Sequence, residues 1–303
     1  MPINIPNGLP AKEILESEKI FALEEDVARK QDIRPLRIAI LNLMPKKIET
    51  ETQILRLISK SPLQVDIDFM KVSNHVSKNT SADHLLKFYD DFSMLKENHY
   101  DGLIITGAPV EHLEYEDVDY WQELCTIMEW SKSHVYSTVH ICWGAQAGLY
   151  YHYGIQKHLL PHKVFGIFPQ LLCDEYNFLT NGFDEVHMTP HSRHTAIDEE
   201  ALAKVKELEV LSRSNTTGSN IIATRDFRRI FIMGHLEYGK DTLAQEYFRD
   251  LNQGKEIQIP YNYFPEDDPS KEPLFKWRAH ANLLYRNWLN YVYQMTPFDL
   301  KEL

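Results

Sequence analysis

The sequence predicts an α/β fold: a mostly parallel central sheet with helices on both faces and helical additions at the N- and C-terminal ends. Three observations carry this. Strand-length segments stand at 37–43 (RIAILNL), a continuous apolar run, at 102–106 (GLIIT) and at 135–141 (VYSTVHI). Such runs suit central strands covered on both sides. Helically spaced segments fill the intervals between them, and each run stops at a turn signal: Met44-Pro45, Gly107-Ala108-Pro109 and Cys142-Trp143-Gly144. Alternating β and α elements of these lengths build parallel sheets.

Taken in order, residues 11–30 are rich in Glu and Lys and carry Ile14, Leu15, Phe21, Leu23 and Val27, the pattern of an amphipathic helix outside the core. Pro35 marks a break, which divides an extension at 1–34 from one α/β domain at 35–303. After the strand at 37–43 come a helix at 49–60, a break at Pro62 and a strand at 64–70, with Val65, Ile67 and Phe69 on one face. A helix at 83–96 precedes the strand at 102–106, and a helix at 120–132 precedes the strand at 135–141. The second half is less regular. Short strands are expected at 164–169, 210–212, 220–224 and 230–233, with helices at 241–252 and 274–293. The proline- and acid-rich stretch 261–273 reads as a loop.

Composition narrows the function. The 303 residues are 43% hydrophobic and 25% charged, a globular balance that excludes disordered and fibrous architectures. With 44 acidic and 32 basic residues the net charge is −12, which argues against a nucleic-acid partner, since phosphate backbones reward basic patches. Three cysteines without framework spacing point to a reducing compartment. No apolar run reaches the ~18 residues of a membrane span, and the first residues lack the features of a signal peptide. A cytoplasmic protein with no membrane partner is expected.

Cys142 sits where a strand turns into a helix, followed by the small residues Gly144, Ala145, Ala147 and Gly148. Small neighbours let the turn be tight and the side chain project, the mechanics of a nucleophile elbow. A helix N-terminus also offers free N–H groups and partial positive charge, both of which favour a thiolate. The same N–H groups, that of Trp143 first, can hold a developing oxyanion. Cys125 and Cys173 lie among apolar neighbours and read as structural. A cysteine nucleophile needs a base. His235 follows the apolar strand at 230–233, and in extended chain Glu237 points the same way, as the third member of a triad does. His187, His191 and His194 form H-x3-H-x2-H, but Pro190 interrupts any helix there, so no metal site is expected.

These residues resemble the class I glutamine amidotransferase-like superfamily, whose elbow reads G-x-C-x-G-x-Q. Residues 140–146 keep all of it but the first glycine, replaced by His140. The match is closer to one branch, the homoserine O-acyltransferases of methionine biosynthesis. The segments MPINIPNGLPA, IAILNLMPKKIETETQ, LIITGAPVE, HICWGAQA, MTPHSRHT and MGHLEYG look like that family, in order, over nearly the whole chain. The resemblance implies Cys142 as the acyl-thioester nucleophile, His235 as general base and Glu237 as its partner. It also implies Lys163, Ser192 and Arg249 as substrate contacts; the planar fork of Arg249 suits an amino-acid carboxylate. L-Homoserine and an acyl-CoA would be the substrates, with acetyl-CoA a co-substrate and no resident cofactor. In this family position 111 resembles a donor switch: Gly goes with succinyl transfer, Glu with acetyl transfer. Glu111 would repel the distal carboxylate of a succinyl group, so acetyl transfer is expected and succinyl transfer is the alternative. A glutamine amidotransferase, which uses the same triad, is the more distant alternative. Lys46 and Lys47, after the first strand, are candidates to meet CoA phosphates. A homodimer is a plausible assembly, closed two-fold pairs being the commonest.

Overall fold

A computed structural model describes residues 3–5, 22–24, 34–73 and 80–303. Two short strands, β1 (Ile3–Ile5) and β2 (Ala22–Glu24), pair in parallel at the N-terminus. The helix expected at 11–30 is therefore a strand at 22–24; its other residues lie outside those described, as does most of the 1–34 extension.

The main sheet has ten strands in two halves. The first half is β3 (Leu36–Leu41), β4 (Val65–Lys71), β5 (Tyr89–Asp91), β6 (Tyr100–Ile105), β7 (Val135–Ile141) and β12 (Arg229–Ile232), all parallel, in the order β5-β4-β3-β6-β7-β12. The second half continues from β12 through β11 (Gly218–Thr224), β10 (Leu208–Ser214), β8 (Lys157–Leu172) and β9 (Val186–Ile197), each pair antiparallel.

Alternate residues of the parallel strands feed two cores. Leu36, Ile38, Ile40, Ile104, Val139 and Ile141 pack under α1 (Lys47–Ile58) and the C-terminal helix α8 (Arg278–Met295). Ala39, Leu41, Leu103 and Ile105 pack on the other face, under α4 (Trp121–His134) and α5 (Trp143–Tyr153). Trp288 of α8 lies so close to β6 that a Cβ on Gly102 would come within 2.7 Å of its ring, and its indole N–H donates to Ser137 Oγ at 3.0 Å. Between them, short helices α2 (Ala82–Phe88), α3 (Phe92–Leu95), α6 (Glu199–Lys204) and α7 (Thr242–Asn252) complete the fold.

Two departures from expectation have local causes. The helix expected at 83–96 is split by β5, because Tyr89–Asp91 add to the sheet edge beside β4: Lys71 pairs with Asp91 at 2.5 Å and the Tyr89 ring packs on Phe69. Pairing with a neighbouring strand overrides helical spacing here. The second is β9, which has no counterpart among the expected strands. Its inward face carries His187, Thr189, His191, Arg193 and Thr195, all buried. The alternation is present, but its buried positions are polar, so hydrophobic periodicity does not report it. Among the described residues, no helix is long and apolar enough to cross a membrane.

Candidate active site

The C-terminal ends of the parallel strands open into a cleft of about 650 Å³. Open parallel sheets place ligands at this edge. Loops after β3, β6, β7 and β12 supply one side, and β8, β9 and α7 the other: Met44 to Lys46, Gly107 to Pro109, Glu111, Cys142 and His235 face Lys163, Ser192, Glu246 and Arg249.

Cys142 joins β7 to α5 with φ 51° and ψ −115°, a conformation that a non-glycine residue adopts only under constraint. Two contacts supply the constraint. Its N–H donates to Ile232 O at 2.7 Å, and its carbonyl accepts from Gln146 N–H at 3.0 Å. Gly144 makes the turn fit, since a Cβ there would stand 2.5 Å from Thr106 O. The thiol is thereby held at the mouth of α5, beside the Trp143 N–H, which as the first of the helix has no intrahelical acceptor. The Trp143 side chain itself is buried among Tyr115 and Tyr120, so only its main chain is near the cleft.

His235 arrives from the end of β12, and its ring and the Cys142 side chain line the cleft together on either side of Gly107. The His235 Nδ1 meets Glu237 Oε1 at 2.6 Å. The ring lies flat on Tyr238, 4.1 Å between centroids at 11°. The backbone N–H of His235 donates to Pro190 O at 2.8 Å, and Gly234 permits that approach, as a Cβ would meet Pro190 O at 2.7 Å. Gly107 closes the third side: its would-be Cβ stands 3.4 Å from Cys142 Cβ and 3.6 Å from His235 Cε1. Burial works to lower the His235 pKa. The neighbouring Cys142 sulfur, the Glu237 carboxylate and the hydrogen bonds to both outweigh it and hold the imidazolium well above the ordinary histidine range. Cys142, His235 and Glu237, separate in sequence, are thus brought together as expected.

Lys163, Ser192 and Arg249 also converge, on a residue the sequence reading missed. Glu246 accepts from Lys163 Nζ at 2.5 Å and from Ser192 Oγ at 2.8 Å, with Arg249 Nη2 at 3.9 Å. Its only sequence signal is its position three residues before Arg249, on the same face of α7. Tyr238 and Arg193 were missed too. Arg193 is buried, donating from Nη1 to Thr195 O and from Nη2 to Thr217 O at 2.6 Å. Glu111 does face the cleft. One carboxylate oxygen accepts from His194 N–H at 2.7 Å and from Thr195 Oγ1 at 3.1 Å, which pins it across to β9.

The other candidates separate. His187 and His191 lie on the buried face of β9, whereas His194 lines the cleft; among the described residues no group of three or more His, Cys, Asp or Glu could hold a metal. Lys46 is on the cleft rim, 3.5 Å from Glu49. Lys47 turns inward to Asn42 O at 2.5 Å, and burial lowers its pKa to about 8.

An elbow cysteine, a histidine and a glutamate at the carboxyl edge of a parallel sheet define the class I glutamine amidotransferase-like fold. Solved structures agree: a glutamine amidotransferase from Thermotoga maritima superposes with a TM-score of 0.56 at 12% identity, over 86% of this chain and 99% of that one. A family model described as homoserine O-succinyltransferase matches residues 2–298, and the chain belongs to that family. Two relatives, both named homoserine O-acetyltransferase, align along the full chain. That of Bifidobacterium adolescentis is 60% identical, with 88% of its own length covered. That of Acetivibrio thermocellus is 57% identical, with all of its length covered.

Proposed function

We propose that the protein is a homoserine O-acetyltransferase that moves the acetyl group of acetyl-CoA to the γ-hydroxyl of L-homoserine through an acetyl-cysteine at Cys142. The observation that carries the mechanism is the chain Cys142–His235–Glu237, whose first two members line one cleft and whose third is buried behind His235. The choice of acyl group is supported by the names of relatives 57–60% identical over the whole chain and by Glu111 in the cleft wall.

In the first half-reaction the Cys142 sulfur attacks the thioester carbonyl carbon. The electron pair moves to oxygen, then returns as the C–S bond to CoA breaks, and the departing sulfur takes the His235 proton. In the second half, His235 removes the proton of the homoserine hydroxyl, the oxygen attacks the acetyl carbon and the Cys142 sulfur leaves. Glu237 fixes the ring so that Nε2 faces the sulfur, and it stabilises the imidazolium that stands before the first step and forms again in the second. The Trp143 N–H and the Gly107–Ala108 stretch against Cys142 supply the oxyanion donors; losing one such donor typically lowers the rate ~10²–10³-fold. Arg249 meets the homoserine carboxylate and Glu246 its ammonium, in place of the ion pairs these residues make with each other and with Lys163. Acetyl-CoA enters as a substrate and CoA leaves as a product, and no bound cofactor is needed for either step.

Mixing the protein with acetyl-CoA before homoserine is added tests this by intact mass spectrometry. An acetyl adduct should appear, be discharged by homoserine, and be absent from Cys142→Ala. No adduct, or faster loading from succinyl-CoA, contradicts the proposal.

A further inference from the structure

Beside the cleft lies a second lobe of about 620 Å³, walled by Pro161, His162, Phe165, Lys255, Glu256 and Ile257. The two cavities share His112, Lys163, His194, Asp250 and Lys255, so they form one continuous channel with Cys142 at the end of the first lobe. Each lobe falls within the ~300–1,000 Å³ that holds a drug-sized ligand. An acetyl group and one amino acid do not require the second.

Chemistry distinguishes its two ends from the opposite rim. On the α1 rim, Lys46, as exposed as Lys255, pairs one-to-one with Glu49, and the Lys47 ammonium is turned inside to Asn42, whereas the carboxylate beside Lys255 is shared with Arg249. At the second lobe, Lys255 is more than half exposed, and His162, His112 and His194 stand around it. Two carboxylates share the wall. That of Asp250 is already neutralised by Arg249 at 2.8 Å and Lys255 at 3.3 Å, and the other is Glu256. In a chain of net charge −12, this is where cationic and titratable nitrogens gather next to the cleft. Phe165, Pro161 and Ile257 give the lobe apolar surface as well.

Resting on the acyl-CoA reading above, we infer that this lobe seats the phosphorylated nucleotide arm of the donor, with Lys255 and His162 facing the phosphates. The pantetheine portion then runs past His112 and His194 to bring the thioester to Cys142.

Lys255→Glu and His162→Glu, assayed with acetyl-CoA and with S-acetylpantetheine, which lacks the nucleotide, test this. The KM for acetyl-CoA should rise about tenfold, the size of one charge-assisted hydrogen bond, and that for S-acetylpantetheine by less than about twofold. Lys46→Glu should raise the acetyl-CoA KM less than Lys255→Glu does. An equal effect on both donors, no effect on either, or a larger effect from Lys46→Glu overturns the assignment. If neither donor acetylates homoserine, the proposed function fails instead. Calorimetric binding of CoA to wild type and Lys255→Glu then still decides the lobe: about tenfold weaker binding supports it and equal binding overturns it.

Discussion

The two halves of the sheet bury different chemistry. In the parallel half, β3, β6 and β7 send Ile, Leu and Val into two apolar cores, and Cys142 and the loops that line the cleft stand at their ends. In the antiparallel half, β9 buries His187, Thr189, His191, Arg193 and Thr195, and its other face gives Ser192 and His194 to the cleft. One half is a rigid platform that presents Cys142, the proposed nucleophile. The other is a polar wall whose interior hydrogen bonds back the residues that face the cleft. Buried polar groups stabilise only when partnered, so the wall is specified by its hydrogen bonds and the platform by its packing.

The largest expected effect lies on the parallel half, at the proposed triad. Glu237→Gln keeps the shape and removes the charge beside His235 Nδ1. Turnover should fall ~10²–10⁴-fold, and the pKa governing the pH profile should drop toward the ordinary histidine value as the imidazolium loses a partner. Steady-state kinetics across pH reads both; unchanged turnover would mean that Glu237 only packs.

A smaller effect is expected at the seam. Glu111 belongs to the loop after β6 yet is held by His194 and Thr195 of β9. Glu111→Gly removes the charge and the bridge together, so the preference between acetyl-CoA and succinyl-CoA should move at least about tenfold toward succinyl, equivalent to about 1.4 kcal/mol. A constant ratio of kcat/KM values for the two donors would place the discrimination elsewhere.

The same contrast explains what was legible in the sequence. The platform was: the strand-length segments at 37–43, 102–106 and 135–141 lie on β3, β6 and β7, and Cys142 stands at the turn that its small neighbours imply. His235 and Glu237 were legible through an i, i+2 spacing after a strand. The wall was not. β9 follows a period of two, but its inward residues are those that usually face solvent, so the pattern reads as a loop. Lys163, Ser192 and Arg249 were reached only through resemblance. Glu246, which ties them together, was not reached at all, because a glutamate on a helix looks solvated until three partners from β8, β9 and its own turn surround it.

The last expected effect concerns stability rather than turnover, and it appears in both halves. His140, under the elbow in β7, is fully buried with neither ring nitrogen hydrogen-bonded, and burial pushes its pKa to about 3. His152 in α5 falls to about 2 and His187 in β9 to about 3, in each case mainly by burial, and His191 lies well below the usual range for the same reason. These rings stay neutral in the fold but take up protons in the unfolded chain below about pH 6.5. The unfolded state therefore binds more protons, and stability falls as pH drops from 6.5 toward 3. Each fully neutral ring contributes about 2 kcal/mol of loss between pH 6.5 and 5. His235 acts in the opposite window. Its raised pKa adds stability that is complete below 6.5 and is lost as pH rises through the folded value, so it leaves the acid limb untouched. Urea unfolding of His140→Leu should show a slope between pH 6.5 and 5 that is shallower by about 1 kcal/mol per pH unit. His187→Leu should give the same reduction from the other half of the sheet. A variant with the wild-type slope would mean that its histidine is already charged, or already hydrated, in the folded protein.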